Sequence, residues 1–232
     1  MNTEILISKL TAFSLTRQEA AIYITLCKND CLTGYEVAKQ TGISRSNAYS
    51  SLKSLVDKGA AFIIEGDSKK YTIVPIDEFC NNKIRNLYED RDFLINNLPK
   101  KRSFEEGYVT INGDENIKNK IHTMMEQTKL RLYISMNSDL LDCFRDDLIK
   151  AVKRNIKISI LSEKDFDIEG VITYITNDKK NQIGVITDSK RVITGDYGFG
   201  KESSALYSEH KNFVTLFKDY MANEIKLVKK DY

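Results

Sequence analysis

Chain breakers are scarce in this 232-residue sequence: two prolines and eleven glycines make up about 6% of it, against roughly 12% in average proteins. Long helices and tight connections are therefore expected. Long apolar runs are also missing. The longest, residues 60–64, falls far short of the ~20 residues of a membrane span, and Glu4, Ser8 and Lys9 interrupt what would have to be the apolar core of a secretion signal. A cytoplasmic protein with no membrane attachment is expected. Charge of one sign is lacking too: 35 Lys and Arg offset 33 Asp and Glu, leaving +2, so any surface for a polyanion must arise from local placement. Metal-ligand chemistry has little to draw on. Cys27, Cys31, Cys80 and Cys143 show no CxxC spacing, and His122 and His210 are the sole imidazoles. The thiols read as reduced, and neither a metal nor a cofactor is expected.

What remains is an ordinary globular composition, 41% apolar and 29% charged, long enough for one large domain or two small ones. Three zones emerge. Residues 1–75 carry short amphipathic helix patterns followed by a β-hairpin, residues 76–103 a helical stripe and a linker, and residues 104–232 alternating strand and helix signals. Pro99, followed by Lys100, Lys101 and Arg102, ends the stripe, because proline disfavours helix in its predecessor and lacks a donor.

In the first zone Ile5, Leu6 and Leu10 suggest an opening helix. Thr16 with Glu19, and Thr33 with Glu36, have the spacing of capping boxes that start two more helices. The first of these carries Ala20, Tyr23, Ile24 and Cys27 on one face, and the second stops at Gly42, suited to a left-handed turn. Ser44 then caps a helix whose Ala48, Leu52, Leu55 and Val56 recur at helical spacing. Helix, glycine turn, helix is the arrangement that holds a second helix out toward a major groove.

The opposite face of that second helix offers Arg45, Ser46, Asn47, Ser50, Lys53 and Ser54, with Ser44 at its cap also a candidate and no carboxylate before Asp57. A face meant only for solvation would mix Glu with Lys. Arg can pair with guanine edges and Asn with adenine edges, while Ser and Lys suit phosphate, so double-stranded DNA is the expected partner. Thr33, at the start of the supporting helix, joins this candidate set. After Gly59 the run AAFIIEGDSKKYTIV reads as a wing, with Lys69 and Lys70 beside its tip and placed for the sugar-phosphate backbone.

The runs LTRQEAAIYITL, LTGYEVAKQTGISRSNAYSSLKSLVDKGA and KKYTIVP resemble the winged-helix domain of the TrmB family of transcriptional regulators. The resemblance extends over residues 10–75, about a third of the chain. It includes Glu19 and Ala20, Tyr23, Gly42 and Ile43, Arg45 and Tyr49, Lys58 and Gly59, and Tyr71 with Pro75. It implies sequence-specific DNA binding, with Tyr49 adding a phosphate contact. It also implies a dimerising helix followed by an α/β effector domain resembling half of a phospholipase D fold. The overall expectation is a two-domain α+β and α/β protein: winged helix-turn-helix, connecting helix and phospholipase D-like domain.

The connecting helix fits on independent grounds. Cys80, Ile84, Leu87, Arg91, Leu94 and Leu98 follow the four-three spacing of a two-stranded coil, broken by Arg91 alone and widened by Tyr88 and Ile95. A homodimer seam through Ile84, Leu87, Tyr88, Leu94, Ile95 and Leu98 is one reading; packing against the chain's own second domain is the other. In that second domain the expected order is strand, a helix over 114–127, strand, a helix over 138–154, strands at IKISILS and VITYIT, a hairpin QIGVITDSKRVITG, a strand ALYS and a helix from about Glu209.

Phospholipase D-like enzymes use an HxKxxxxD motif. If Asp188 took its last place, Asn181 and Ile183 would hold the first two, and neither can serve. No catalytic residues are therefore assigned and the domain is expected to be a non-enzymatic sensor. Ser135, Asn137 and Ser162, at the carboxyl ends of strands, are the candidates for contacting a small-molecule effector of unknown identity. A phosphodiesterase-like enzyme relying on His122 or His210, and a protein-interaction adaptor with a winged-helix shape, are the competing functions.

Overall fold

The computed structural model describes residues 2–99, 107–177, 179–198 and 202–228. The linker expected at 100–103 lies outside the described residues, as does part of the glycine-rich GDYGFGK turn. The chain divides into two compact units, Met1–Lys100 and Lys101–Tyr232.

The first unit runs α1 (Thr3–Ala12), α2 (Arg17–Cys27), β1 (Leu32–Thr33), α3 (Gly34–Thr41), α4 (Arg45–Asp57), β2 (Ala61–Ile64), β3 (Lys70–Ile73) and α5 (Ile76–Asn97). Both expected capping boxes form. The Thr16 and Thr33 hydroxyls accept the N–H groups of Glu19 and Glu36, whose carboxylates accept in return from the threonine N–H groups at 2.7 and 2.8 Å. Gly42 ends α3 at φ 70°, a conformation a side chain would strain. Ala48, Leu52 and Leu55 of α4 are fully buried against Ala20, Ile22, Tyr23 and Leu26 of α2 and Val37 of α3. The wing is a three-stranded antiparallel sheet in the order β1-β3-β2. Its third strand is the two-residue β1, where Leu32 pairs with Tyr71 and Thr33 with Lys70, and which no periodicity could reveal.

One ion pair ties these parts together. Glu19 Oε2, nearly buried, accepts from Lys58 Nζ at 2.6 Å, and the same ammonium donates to the Ser14 carbonyl at 2.9 Å. Burial alone would raise the Glu19 pKa. Hydrogen bonds from Lys58, Ser54 and the Thr16 N–H outweigh it and hold the carboxyl below its usual value. At the other end of α2, the Tyr23 hydroxyl donates to the Val74 carbonyl at 2.7 Å and its ring meets that of Phe79. Phe79, 1% exposed, roots α5 in this core.

The second unit runs β4 (Val109–Asn112), α6 (Asp114–Gln127), β5 (Arg131–Ser135), α7 (Ser138–Asp142), α8 (Arg145–Lys153), β6 (Lys157–Ser162), β7 (Val171–Ile175), β8 (Gln182–Thr187), β9 (Arg191–Asp196), β10 (Ser204–Ser208) and α9 (Lys211–Val228). Its seven strands form one sheet in the order β4-β10-β9-β8-β5-β6-β7, in which β5, β6 and β7 are parallel and the other pairings antiparallel. Alternation along the strands sends Leu132, Ile134, Ile158, Ile160, Ile183 and Val185 into a core with α6, α7 and α8. Ile186 and Val192 meet Val214 and Met221 of α9 on the other face.

Two boundaries differ from the sequence reading. The helix expected over 138–154 is two helices, because the chain leaves helical geometry at Phe144, whose buried ring joins Leu140, Leu141 and Leu148 in one core. The final helix begins at Lys211 rather than Glu209, since Glu209 takes a hydrogen bond from Tyr207 and an ion pair with Arg191 at 3.3 Å.

Replacing Glu19 by Gln, or Lys58 by Met, should destabilise the first unit by about 2–3 kcal/mol. That is somewhat under the roughly 3–5 of a fully enclosed pair, because Lys58 keeps partial solvent contact. Because the folded Glu19 pKa is lowered, its contribution is complete above the unfolded value near 4.5 and is lost as pH falls through the folded value. Calorimetric melts from pH 6 to 3 should show this loss in the wild type and not in Glu19→Gln.

Candidate DNA-binding interface and effector pocket

The exposed side of α4 collects the residues expected to meet DNA. Arg45, Ser46, Asn47, Tyr49, Ser50 and Lys53 are all exposed, and the first carboxylate on this helix is Asp57 in its last turn. Ser44 is exposed as well, but its hydroxyl accepts the Asn47 N–H as the helix cap. Thr33 is half-buried and its hydroxyl is engaged with Glu36, so its part here is to start α3.

Two aromatic contacts organise this face. The Arg45 guanidinium stacks over the Tyr35 ring at 4.6 Å from its centroid. Such stacking restrains a long side chain while leaving its donors directed outward. The Tyr49 ring lies over Gly34, where a Cβ would come within 2.4 Å of the ring, so glycine at the start of α3 is what allows α3 and α4 to approach there. Tyr35 escaped the sequence reading. Its one available signal was an aromatic in the first turn of the supporting helix.

At the wing, Lys69 and Lys70 are exposed, Lys69 within 3.7 Å of Glu65. That contact is between two solvated groups and leaves the ammonium available, since exposed pairs contribute little. Along α5 the apolar stripe leaves the core after Phe79. Ile84, Leu87, Tyr88, Leu94, Ile95 and Leu98 are all exposed, Leu87 and Ile95 by more than 60%. Tyr88 carries the Arg91 guanidinium over its ring at 4.8 Å, which accommodates the one break in the stripe.

In the second unit the three effector candidates part company. Ser135 lines a cavity of about 400 Å³ between α9 and the sheet. Asn137 instead caps α7, accepting the Leu140 N–H at 2.8 Å and donating to the Lys180 carbonyl. Ser162 is fully buried and donates to Glu163 at 3.1 Å. Glu163 in turn accepts the N–H and hydroxyl of Ser138. Burial would raise its pKa, but these bonds prevail and bring it down to about 2. Asn137 and Ser162 therefore shape strand ends rather than the cavity.

The positions tested for a phosphodiesterase motif are structural as well. Asp188, at the β8–β9 turn, accepts the N–H groups of Lys129, Leu130 and Arg131 at 2.7–3.0 Å, and Ile183 is buried in the sheet core. His122 pairs with Asp147 at 2.6 Å across α6 and α8, and the His210 N–H donates to Ser208. Among the described residues no group of three His, Cys, Asp or Glu is placed to hold a metal ion, and no helix is long and apolar enough to cross a membrane.

A helix pair whose second helix exposes a face free of carboxylates before its last turn, flanked by a three-stranded wing, defines a winged-helix protein of the DNA-binding class. The chain belongs to the TrmB family of transcriptional regulators. Residues 10–77 match the family described as sugar-specific transcriptional regulator TrmB, and residues 108–224 the TrmB effector-binding domain, N-terminal subdomain. It is 25% identical over 231 residues to the uncharacterized protein YrhO of Bacillus subtilis, covering 94% of this chain and 84% of that one. It is 34% identical over 117 residues to the sugar-sensing transcriptional regulator TrmBL1 of Pyrococcus furiosus, which spans half of this chain and 32% of that protein. Among solved structures, TrmBL2, an archaeal chromatin protein, aligns over 96% of this chain and 98% of its own at 20% identity, with a TM-score of 0.45. NucT from Helicobacter pylori aligns over 52% and 97% at 12% identity, with a TM-score of 0.43.

If Tyr35 holds Arg45 ready, Tyr35→Ala should weaken DNA binding two- to fivefold, about 0.5–1 kcal/mol, while Tyr35→Phe leaves it unchanged. Fluorescence anisotropy with a duplex carrying a bound genomic site, alongside unchanged melting temperatures, would check this.

Proposed function

We propose that this protein acts in the cytoplasm as a homodimer that reads a specific duplex sequence, and that its second domain senses a signal without performing catalysis. The observation that carries the reading is the α4 face: six exposed hydrogen-bonding side chains, no acid among them, on a helix whose opposite side is locked into a core. Arg45 and Asn47 are assigned to base edges, and Ser46, Tyr49, Ser50, Lys53, Lys69 and Lys70 to the sugar-phosphate backbone.

Dimerisation through α5 is supported by its exposed stripe. Leucines and isoleucines exposed at four-three spacing along a helix roughly 33 Å long would leave a large apolar area in water unless a second helix covered it. A twofold partner would also present two α4 helices to half-sites separated by whole duplex turns. A non-catalytic second domain is supported on either reading of Asp188: if it took the last place of the phosphodiesterase motif, Asn181 and Ile183 would stand where His and Lys are needed, and in the fold its carboxylate clips the backbone before β5.

Ala substitutions of Arg45 and Asn47 should each cost about 1–3 kcal/mol at the preferred site and relax base preference. Those of Lys69 and Lys70 should weaken all sequences alike and lower the salt slope by about one each. Anisotropy titrations on a duplex recovered from genome-wide binding, between 50 and 200 mM salt, give both readouts; four variants that bind like the wild type would refute the reading. For the dimer, Leu87→Ser with Leu94→Ser should produce a monomer in sedimentation analysis and lose DNA affinity at least tenfold, with the winged helix still folded because neither residue belongs to its core.

A further inference from the structure

The cavity beneath α9 has a construction of its own. Its floor is a row of neighbouring strand positions, Ser135 of β5, Gly184 of β8 and Thr194 of β9, paired directly across the sheet. Ser135 and Gly184 sink the floor where the same face elsewhere carries Ile186 and Val192 against α9, and Thr194 replaces a methyl of the valine shape by a hydroxyl. A Cβ on Gly184 would come within 2.9 Å of Met221 Cε, so the bare backbone leaves the end of that side chain room over the floor. Phe217, Tyr220 and Met221 supply the helix side, and Gln182 and Asp196, facing each other across β8 and β9, form the rim.

The charge of this lining is unusual. Among the described residues Asp196 is the only ionised one in it, and its carboxylate forms no ion pair or hydrogen bond with another of them. Nearby charges are otherwise matched, as with Lys179, which is 7% exposed and pairs with Glu224 at 2.6 Å. An anion would meet Asp196 with no lining cation to offset it. A ligand ammonium would find a carboxylate in a lining that also carries two aromatic side chains, Phe217 and Tyr220, surroundings that favour cations. The Phe217 and Met221 side chains offer apolar cover for a stem, while the hydroxyls of Ser135 and Thr194 and the amide of Gln182 can accept further N–H groups.

We propose that this cavity binds a small organic cation, a primary amine on a short apolar stem, with its ammonium on Asp196 and its stem between α9 and the sunken floor. The proposal rests on the reading of the second domain as a sensor and gives that sensor a ligand class. Bound there, the ligand would bridge α9 to β9, two elements otherwise joined through apolar contacts.

Isothermal titration of the full-length protein with three probes of one shape, pentylamine, pentanol and pentanoate, separates the chemistries. Pentylamine should bind saturably, at least tenfold tighter than pentanol, with pentanoate not binding. Asp196→Asn should weaken pentylamine at least tenfold and Asp196→Glu should retain it, both with wild-type melting temperature and DNA affinity, since the exposed Asp196 carboxylate has no partner among the described residues. No saturable pentylamine binding, equal binding of pentanol or pentanoate, or amine affinity that survives Asp196→Asn would each overturn the proposal. Because DNA affinity is measured on the same samples, an intact DNA-binding protein with no amine site would refute this inference alone.

Discussion

The position of the recognition helix depends on one carboxylate. Glu19 begins α2 as the reciprocal half of a capping box, then reaches Lys58 beyond the end of α4, whose ammonium also satisfies the carbonyl of Ser14 in the turn before α2. A pair this poorly solvated is costly to form and much costlier to break, because removing either partner strands the other. It therefore works less as a source of stability than as a geometric clamp. The α1–α2 turn, the start of α2 and the end of α4 must all be in place before the charges are satisfied. The apolar stripe of Ala48, Leu52 and Leu55 sets which side of α4 faces inward, and the clamp fixes where the helix ends.

From that frame the chain changes character within a single helix. Phe79 and the Tyr23–Val74 hydrogen bond hold the first turn of α5 in the winged-helix core, yet from Ile84 onward its apolar residues face solvent. In the proposed dimer, a helix anchored at one end would transmit the orientation of its partner helix to the face of α4. That pairing would cover a stripe which, left in water, impairs solubility.

In the second unit the sheet serves its two faces unequally. The face beneath α6, α7 and α8 is packed with Ile, Leu and Met, whereas the α9 face interrupts its apolar cover at Ser135, Gly184 and Thr194. Where side chains are small the surrounding groups lose packing contacts, so Ser135 and Gly184 side by side beneath α9 carry a cost that a bound molecule can offset. Several groups that sequence alone marks as chemical, including Asp188, Asn137, Ser162 and His122, are engaged in holding loops and helices to this sheet. Their polarity satisfies backbone groups at strand ends, a need the linear order of residues does not display.

Much of the architecture was legible in local patterns. Capping boxes at Thr16 and Thr33, the left-handed Gly42, the stripe in α4 and the alternation in the strands each act over a few residues, so the sequence carries them directly. Family resemblance extended that reading to the winged helix as a whole. What escaped depends on residues far apart in the chain: the two-residue strand β1, formed only when Tyr71 arrives beside Leu32; the stacking of Arg45 on Tyr35; and the break at Phe144, imposed by a core shared among α7, α8 and the sheet. The sequence by itself determined where helices start and stop and which faces are apolar, because those are properties of neighbours within one or two turns. Only the tertiary structure decided that Ser135 faces a cavity while Asn137 and Ser162 do not, because that depends on which strands and helices come to lie against one another.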